Sequence, residues 1–139
     1  MVVDASVVVK WLFPSAPEEP YAEEALVLLD DIRRGSVEVL QPVHWLAEAL
    51  AVATRLAPDI AREAGPLLWA MELPMVDTPE VYQRAVALAS ELDHHLFDTL
   101  YHAVALETPG AQLVTADMRY YRKARGHGRL LPLRAYRLP

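Results

Sequence analysis

No cysteine occurs among the 139 residues, which excludes a disulfide framework, a thiolate zinc site and a thiol nucleophile. Glycine is scarce, with five residues in all. None of them forms a P-loop, a dinucleotide-binding turn or a Gly-x-Ser-x-Gly elbow. No apolar run approaches the roughly 18 residues that a membrane span needs. The apolar N-terminus carries Asp4 and Lys10 within its first ten residues. It lacks a basic start and a small-residue cleavage site, so it does not read as a signal peptide, and a cytoplasmic location is expected. There is no internal repeat, low-complexity tract or long linker. A length of 139 residues with 53% hydrophobic content leads to the expectation of one domain over residues 1–139, built on one packed core.

Short apolar segments alternate with helical patterns along the chain. Strands are expected at residues 1–4, Val37 to Leu40, Pro74 to Asp77, Gln112 to Thr115 and Leu130 to Leu133. Helices are expected at Ser6 to Leu12, Tyr21 to Arg34, Val43 to Leu56, Pro58 to about Leu73 with a bend or a division near Gly65-Pro66, Pro79 to Leu92, Phe97 to Glu107 and Met118 to Arg125. Residues Pro14 to Pro20 read as a loop. In the helix from Val43, the spacing places Val43, Leu46, Ala47, Leu50, Ala51 and Thr54 along one side. Strands alternating with helices imply an α/β fold with a mainly parallel sheet, whose ligands bind beyond the carboxyl ends of its strands.

Four carboxylates stand where an apolar core would normally exclude charge. Asp4 ends the run Met1-Val2-Val3, Glu48 interrupts Trp45 to Leu50, Asp98 opens Phe97 to Tyr101, and Asp117 follows Leu113 to Ala116. Gathered together, they hold either protons or a hard cation. Each also has an ordinary alternative. Asp4 and Asp117 are placed to cap the helices that follow them, Glu48 suits a solvated flank, and Asp98 suits a hydrogen-bonded pair with a histidine. A zinc site using Asp98, His102 and a third ligand is a further alternative. Ser6 and Thr115 are hydroxyls placed to orient Asp4 and Asp117. Trp11, Phe13, Trp45 and Trp69 suit core or interface positions rather than base stacking.

Charge is unevenly distributed. All 19 acids lie before residue 119 with six of the 13 Lys and Arg, and the other seven cations follow with no acid among them. A basic tract beside an acidic site suits an anionic polymer. It also suits a helix with cations at its C-terminus, plus a solvated tail.

The segments Val2-Val3-Asp4-Ala5-Ser6-Val7, the helix around Glu48, Phe97 to Ala105, and Leu113 to Asp117 followed by Tyr120-Tyr121-Arg122-Lys123 resemble, in order, the motifs of the PIN-domain nucleases. Within that family the chain looks most like the VapC-type toxins, PIN ribonucleases restrained by a cognate antitoxin. The resemblance implies a three-layer sandwich with a central, mainly parallel sheet of about five strands flanked by helices. It implies a magnesium- or manganese-dependent ribonuclease acting on RNA phosphodiester bonds. Asp4, Glu48, Asp98 and Asp117 match the acidic quartet that is catalytic and holds metal, with Ser6 and Thr115 nearby and Arg119 and Arg122 as candidates for RNA phosphates. A cognate antitoxin and a homodimer are the expected partners; the apolar residues Trp11, Phe13, Tyr21, Leu26 and Leu29 suit an antitoxin contact, a homodimer contact or the core equally. The chain departs from the pattern in having Leu96-Phe97 before Asp98 and in lacking a further acid after Asp117. A PIN fold kept as an RNA- or protein-binding module with little nuclease activity is the main alternative. A phosphoacceptor receiver domain is a weaker one, because no lysine follows the last strand.

Overall fold

Two short parallel sheets, joined by one glutamine side chain, organise the chain. A computed structural model describes residues 1–14 and 20–136. The loop expected between Pro14 and Pro20 and the basic residue Arg137 therefore lie largely or wholly outside the described residues. The elements run β1 (Val2–Val3), α1 (Ala5–Leu12), α2 (Ala22–Arg33), β2 (Gln41–Pro42), α3 (Trp45–Leu56), α4 (Pro58–Trp69) and β3 (Met75–Val76). They continue with α5 (Pro79–Leu92), α6 (Leu96–Glu107), β4 (Leu113–Thr115), α7 (Met118–Ala124) and β5 (Leu130–Pro132). Short 3₁₀ turns flank β5 at Arg125–His127 and Leu133–Ala135.

The α/β class holds, but the expected five-stranded sheet does not. Among the described residues, one sheet has three strands in the order β1-β4-β5 and the other pairs β2 with β3. Every pairing is parallel, with Val3 opposite Val114 and Val114 opposite Leu131. The break falls between β1 and β2, where the backbone ladder is replaced. Val3 N–H donates to Oε1 of Gln41 at 2.9 Å, and Nε2 of Gln41 donates to the Val3 carbonyl at 2.8 Å. One further backbone bond, Leu40 N–H to the Met1 carbonyl, closes the seam. Gln41 is fully buried, so its amide is where Val3 finds the partners that a buried backbone requires. The second strand accordingly lies at Gln41–Pro42 and not at the expected Val37 to Leu40, which is irregular.

The core is built from Val2, Val3, Val7, Val8, Leu28, Tyr101, Val104, Leu113, Val114 and Leu133. Helix α1 packs on α2 and α3, α3 on α4, and α5 on α6. Trp11 is buried and donates its indole N–H to the Ala25 carbonyl, tying α1 to α2. Of the roles open to Trp11 it therefore takes the core, whereas Tyr21 and Leu26 are exposed. Gly35, with φ +73°, ends α2 in a left-handed conformation natural to glycine.

Helix α3 buries Trp45, Ala49 and Ala53, not the expected stripe. Small residues spaced four apart let helices approach closely, so the alanines face the core. The larger Leu46 and Leu50 are only partly buried. Helix α4 runs through Pro66 as one helix, so the chain is not divided there. Pro66 and Arg62, whose carbonyl the proline leaves unbonded, are both exposed, so solvent can satisfy it. No helix among the described residues is long and apolar enough to cross a membrane.

Candidate functional site

The parallel pairing of β1 with β4 sends both strands out of the sheet at the same edge, and the chain places an acid just beyond each. Asp4 follows β1, and Asp117 follows β4 after Ala116. Hydroxyls knit the two ends together. Ser6 Oγ and Thr115 Oγ1 both donate to Oδ2 of Asp4, at 2.6 and 2.7 Å. Ala116 N–H donates to Ser6 Oγ and Asp117 N–H to Thr115 Oγ1, each at 3.0 Å. The side chain of Asp4 caps nothing, so the capping alternative fails for it. Asp117 does cap α7, its Oδ1 accepting from the backbone N–H groups of Arg119 and Tyr120 at 2.8 and 3.0 Å.

Glu48 projects from α3 and Asp98 from the first turn of α6. Each lies beside the histidine four residues earlier. His94 Nε2 is 2.9 Å from Asp98 Oδ2. His94 also packs its ring against Tyr120, although it precedes the helix as the sequence suggests. His44 Nε2 is 3.2 Å from Glu48 Oε2, but it lies 2.9 Å from the Phe97 carbonyl. A carbonyl can only accept, so the Nε2 proton is directed there. Glu48 Oε2 is left buried without a well-formed hydrogen bond. The hydroxyl of the fully buried Tyr101 faces the Glu48 carboxylate but makes no well-formed hydrogen bond to it. Burial, followed by the negative charge of Glu48 and Asp4, pushes its ionisation well up, so it stays a neutral hydroxyl.

The acids register one another electrically. Burial raises the Asp4 carboxyl to about 6, against the hydrogen bonds from Ser6 and Thr115, and the charges of Asp98 and Glu48 add to the rise. Asp98 is also raised, first by burial and then by Glu48, with His94 opposing and Asp117 adding. The four acids therefore share one electrostatic neighbourhood. As they stand, no group of three or more His, Asp or Glu side chains among the described residues could hold a metal ion. Their chemistry nonetheless fits a hard divalent cation. The donors are all carboxylate oxygens, they repel one another, and Glu48 Oε2 is uncommitted in a buried position, all of which a cation would relieve.

The zinc alternative fails at His102, whose ring nitrogens are both occupied. Nε2 donates to the Gly128 carbonyl at 2.8 Å, which leaves Nδ1 to accept from the Tyr120 hydroxyl at 2.9 Å. Burial lowers its proton affinity, in keeping with a neutral structural ring.

The basic tract divides in two. Lys123 donates to the Leu92 and Asp93 carbonyls at 3.2 and 3.0 Å, so it serves the C-terminus of α5. Arg119 and Arg122 are exposed, and Arg119 lines a polar recess of about 300 Å³ with Asp93, His94 and His95. Sequence reasoning misses Gln41, misses Tyr101 as a neighbour of the acids, and leaves the roles of His44 and His94 open. The four-residue spacings His44–Glu48 and His94–Asp98 are the available signal. The PIN domain family model matches residues 1–126. No curated protein matches the chain.

Proposed function

Because the chain belongs to the PIN-domain family, whose members are generally nucleases, we propose that it is a divalent-metal-dependent ribonuclease acting as the toxin of a toxin–antitoxin pair. The observation that carries this reading is that Asp4 and Asp98 are both raised, first by burial, with Glu48 acting on both, Asp98 on Asp4 and Asp117 on Asp98. Such a field is costly without a cation and useful with one. In this reading Asp4, Glu48 and Asp98 hold magnesium or manganese, and Asp117 completes that site or holds a second ion. When bound, the ion supplies positive charge that neutralises the phosphodiester and makes a water more acidic.

The chain's own residues do the positioning. Ser6 and Thr115 fix the Asp4 carboxylate through its Oδ2. Asp117 is fixed by the N-terminus of α7. Arg119 and Arg122, exposed on the same helix, are placed to meet phosphates of the RNA.

The toxin assignment rests on the resemblance of the four motifs to the VapC-type proteins. It brings with it a cognate antitoxin, a homodimer and a cytoplasmic location. Exposed apolar surface is available for such partners at Tyr21 and Leu26 on α2. More is available in a groove of about 670 Å³ lined by Val43, Leu46, Leu50, Trp69 and Met75, where Trp69 is 72% exposed.

A second reading, a binding module without nuclease activity, is favoured by one observation. The ligand-free acids are engaged by His94, two hydroxyls and backbone N–H groups, and no three of them converge. Incubating the purified protein with single-stranded RNA in magnesium, manganese or EDTA separates the two. Cleavage that EDTA abolishes, and that Asp4→Asn and Asp98→Asn both lack, supports the nuclease. Binding without cleavage supports the module.

A further inference from the structure

Phe97 directly precedes Asp98, yet its side chain is turned outward and 60% exposed. The ring is held in place all the same. It stacks on the His44 imidazole with centroids 5.4 Å apart and planes 28° apart. The imidazole is fixed in turn by its contact with the Phe97 carbonyl, and it packs against Tyr101 with centroids 4.8 Å apart. Tyr101 is fully buried. Three flat rings thus rise from the core to the surface between the helices that carry Glu48 and Asp98, and Phe97 is the open end. A single exposed ring is ordinary on a protein surface; what sets Phe97 apart is that it is stacked on His44 directly beside Asp98, which leaves an open π face at the rim of the acidic site.

We propose that Phe97 is a stacking platform for a base of single-stranded RNA at the rim of the acidic site. The proposal rests on the nuclease reading for the identity of that polymer. A base joins a flat apolar face to an anionic backbone, which suits an exposed ring that has Arg119 in a polar recess at the same end of α6. The recess formed by Asp93, His94, His95 and Arg119 adjoins the same end of α6, and Arg119 offers a cation to the backbone of the strand whose base stacks. Every base presents a π face, so an aromatic platform tolerates sequence but requires the base to be unpaired. Phe97 would therefore select single strands over duplexes. The pre-stacked His44 fixes the ring before the RNA arrives, which lowers the ordering cost of binding.

The test uses a short single-stranded oligoribonucleotide carrying 2-aminopurine, whose fluorescence falls on stacking. It is bound to the full chain with Asp4→Asn so that it stays uncut. The fluorescence should fall with Phe97 present and with Phe97→Tyr. It should stay high with Phe97→Ala, with affinity weakened about tenfold to a hundredfold. In the otherwise unchanged protein, Phe97→Ala should raise KM by a similar factor and leave kcat within about threefold, because platform binding is shared by ground and transition states. Its thermal midpoint should stay close to that of the unchanged protein. Unaltered quenching and KM in Phe97→Ala would overturn the proposal and leave the ring as a protein contact. Equal losses on single strands and duplexes would overturn it as well. Quenching that depends on Phe97 in a protein that never cleaves RNA would uphold the platform and sink the nuclease reading instead.

Discussion

Replacing Asp4 by asparagine isolates the electrostatic cost of gathering the acids. Asp4 is buried, and its carboxyl is raised from 3.8 to about 6, by burial before any other cause. The folded protein therefore holds this proton more tightly than the unfolded chain. The contribution to stability is fully present below pH 3.8 and is lost as the pH rises through about 6. The difference between the two values corresponds to about 3 kcal/mol. The substituted amide would keep an oxygen able to accept from Ser6 and Thr115 but would carry no charge. Urea unfolding in EDTA should show Asp4→Asn gaining on the unchanged protein by about 2 kcal/mol between about pH 4.5 and 7.5. At the upper pH the variant should be the more stable of the two. Excess magnesium should recover part of the deficit in the unchanged protein and little in the variant, because a ligand stabilises only the state that binds it. A variant whose stability runs parallel to that of the unchanged protein across this range would refute the reasoning.

Two further substitutions probe the frame around the site. Thr115→Val removes the donor to Asp4 and the acceptor of the Asp117 N–H in a fully buried position. Urea denaturation should show a loss of about 1–3 kcal/mol, with cleavage impaired and both properties largely restored by Thr115→Ser. Tyr136→Phe removes the 2.6 Å hydrogen bond to the buried Asp31. It should cost about 1–3 kcal/mol, and kcat and KM for RNA should be unchanged, since neither residue belongs to the acidic edge.

The helices are legible wherever a strong period meets clear punctuation. Pro79 and the pattern to Leu92 give α5, and Pro109-Gly110 stops the chain just after α6. Asp4 and Asp117 can be placed on one edge because parallel strands end together. What escapes is tertiary. The seam at Gln41 depends on a side chain standing in for a strand, which no alternation pattern encodes. The buried face of α3 is misleading because leucines outweigh alanines in a hydrophobic stripe, whereas close packing favours Ala49 and Ala53. The zinc alternative at His102 stays open in the sequence because Tyr120 and Gly128 are distant along the chain. The exposure of Phe97 is invisible for the same reason, since it depends on His44 reaching across from the start of another helix.

Calorimetric titration of manganese into the metal-free protein at neutral pH, alongside Asp98→Asn, tests most directly whether folding builds one cation site from four distant acids. Saturable binding by the unchanged protein, weakened at least about tenfold in the variant with RNA cleavage lost in parallel, is the predicted result. Absence of binding by the unchanged protein, or equal affinity in Asp98→Asn, would contradict it.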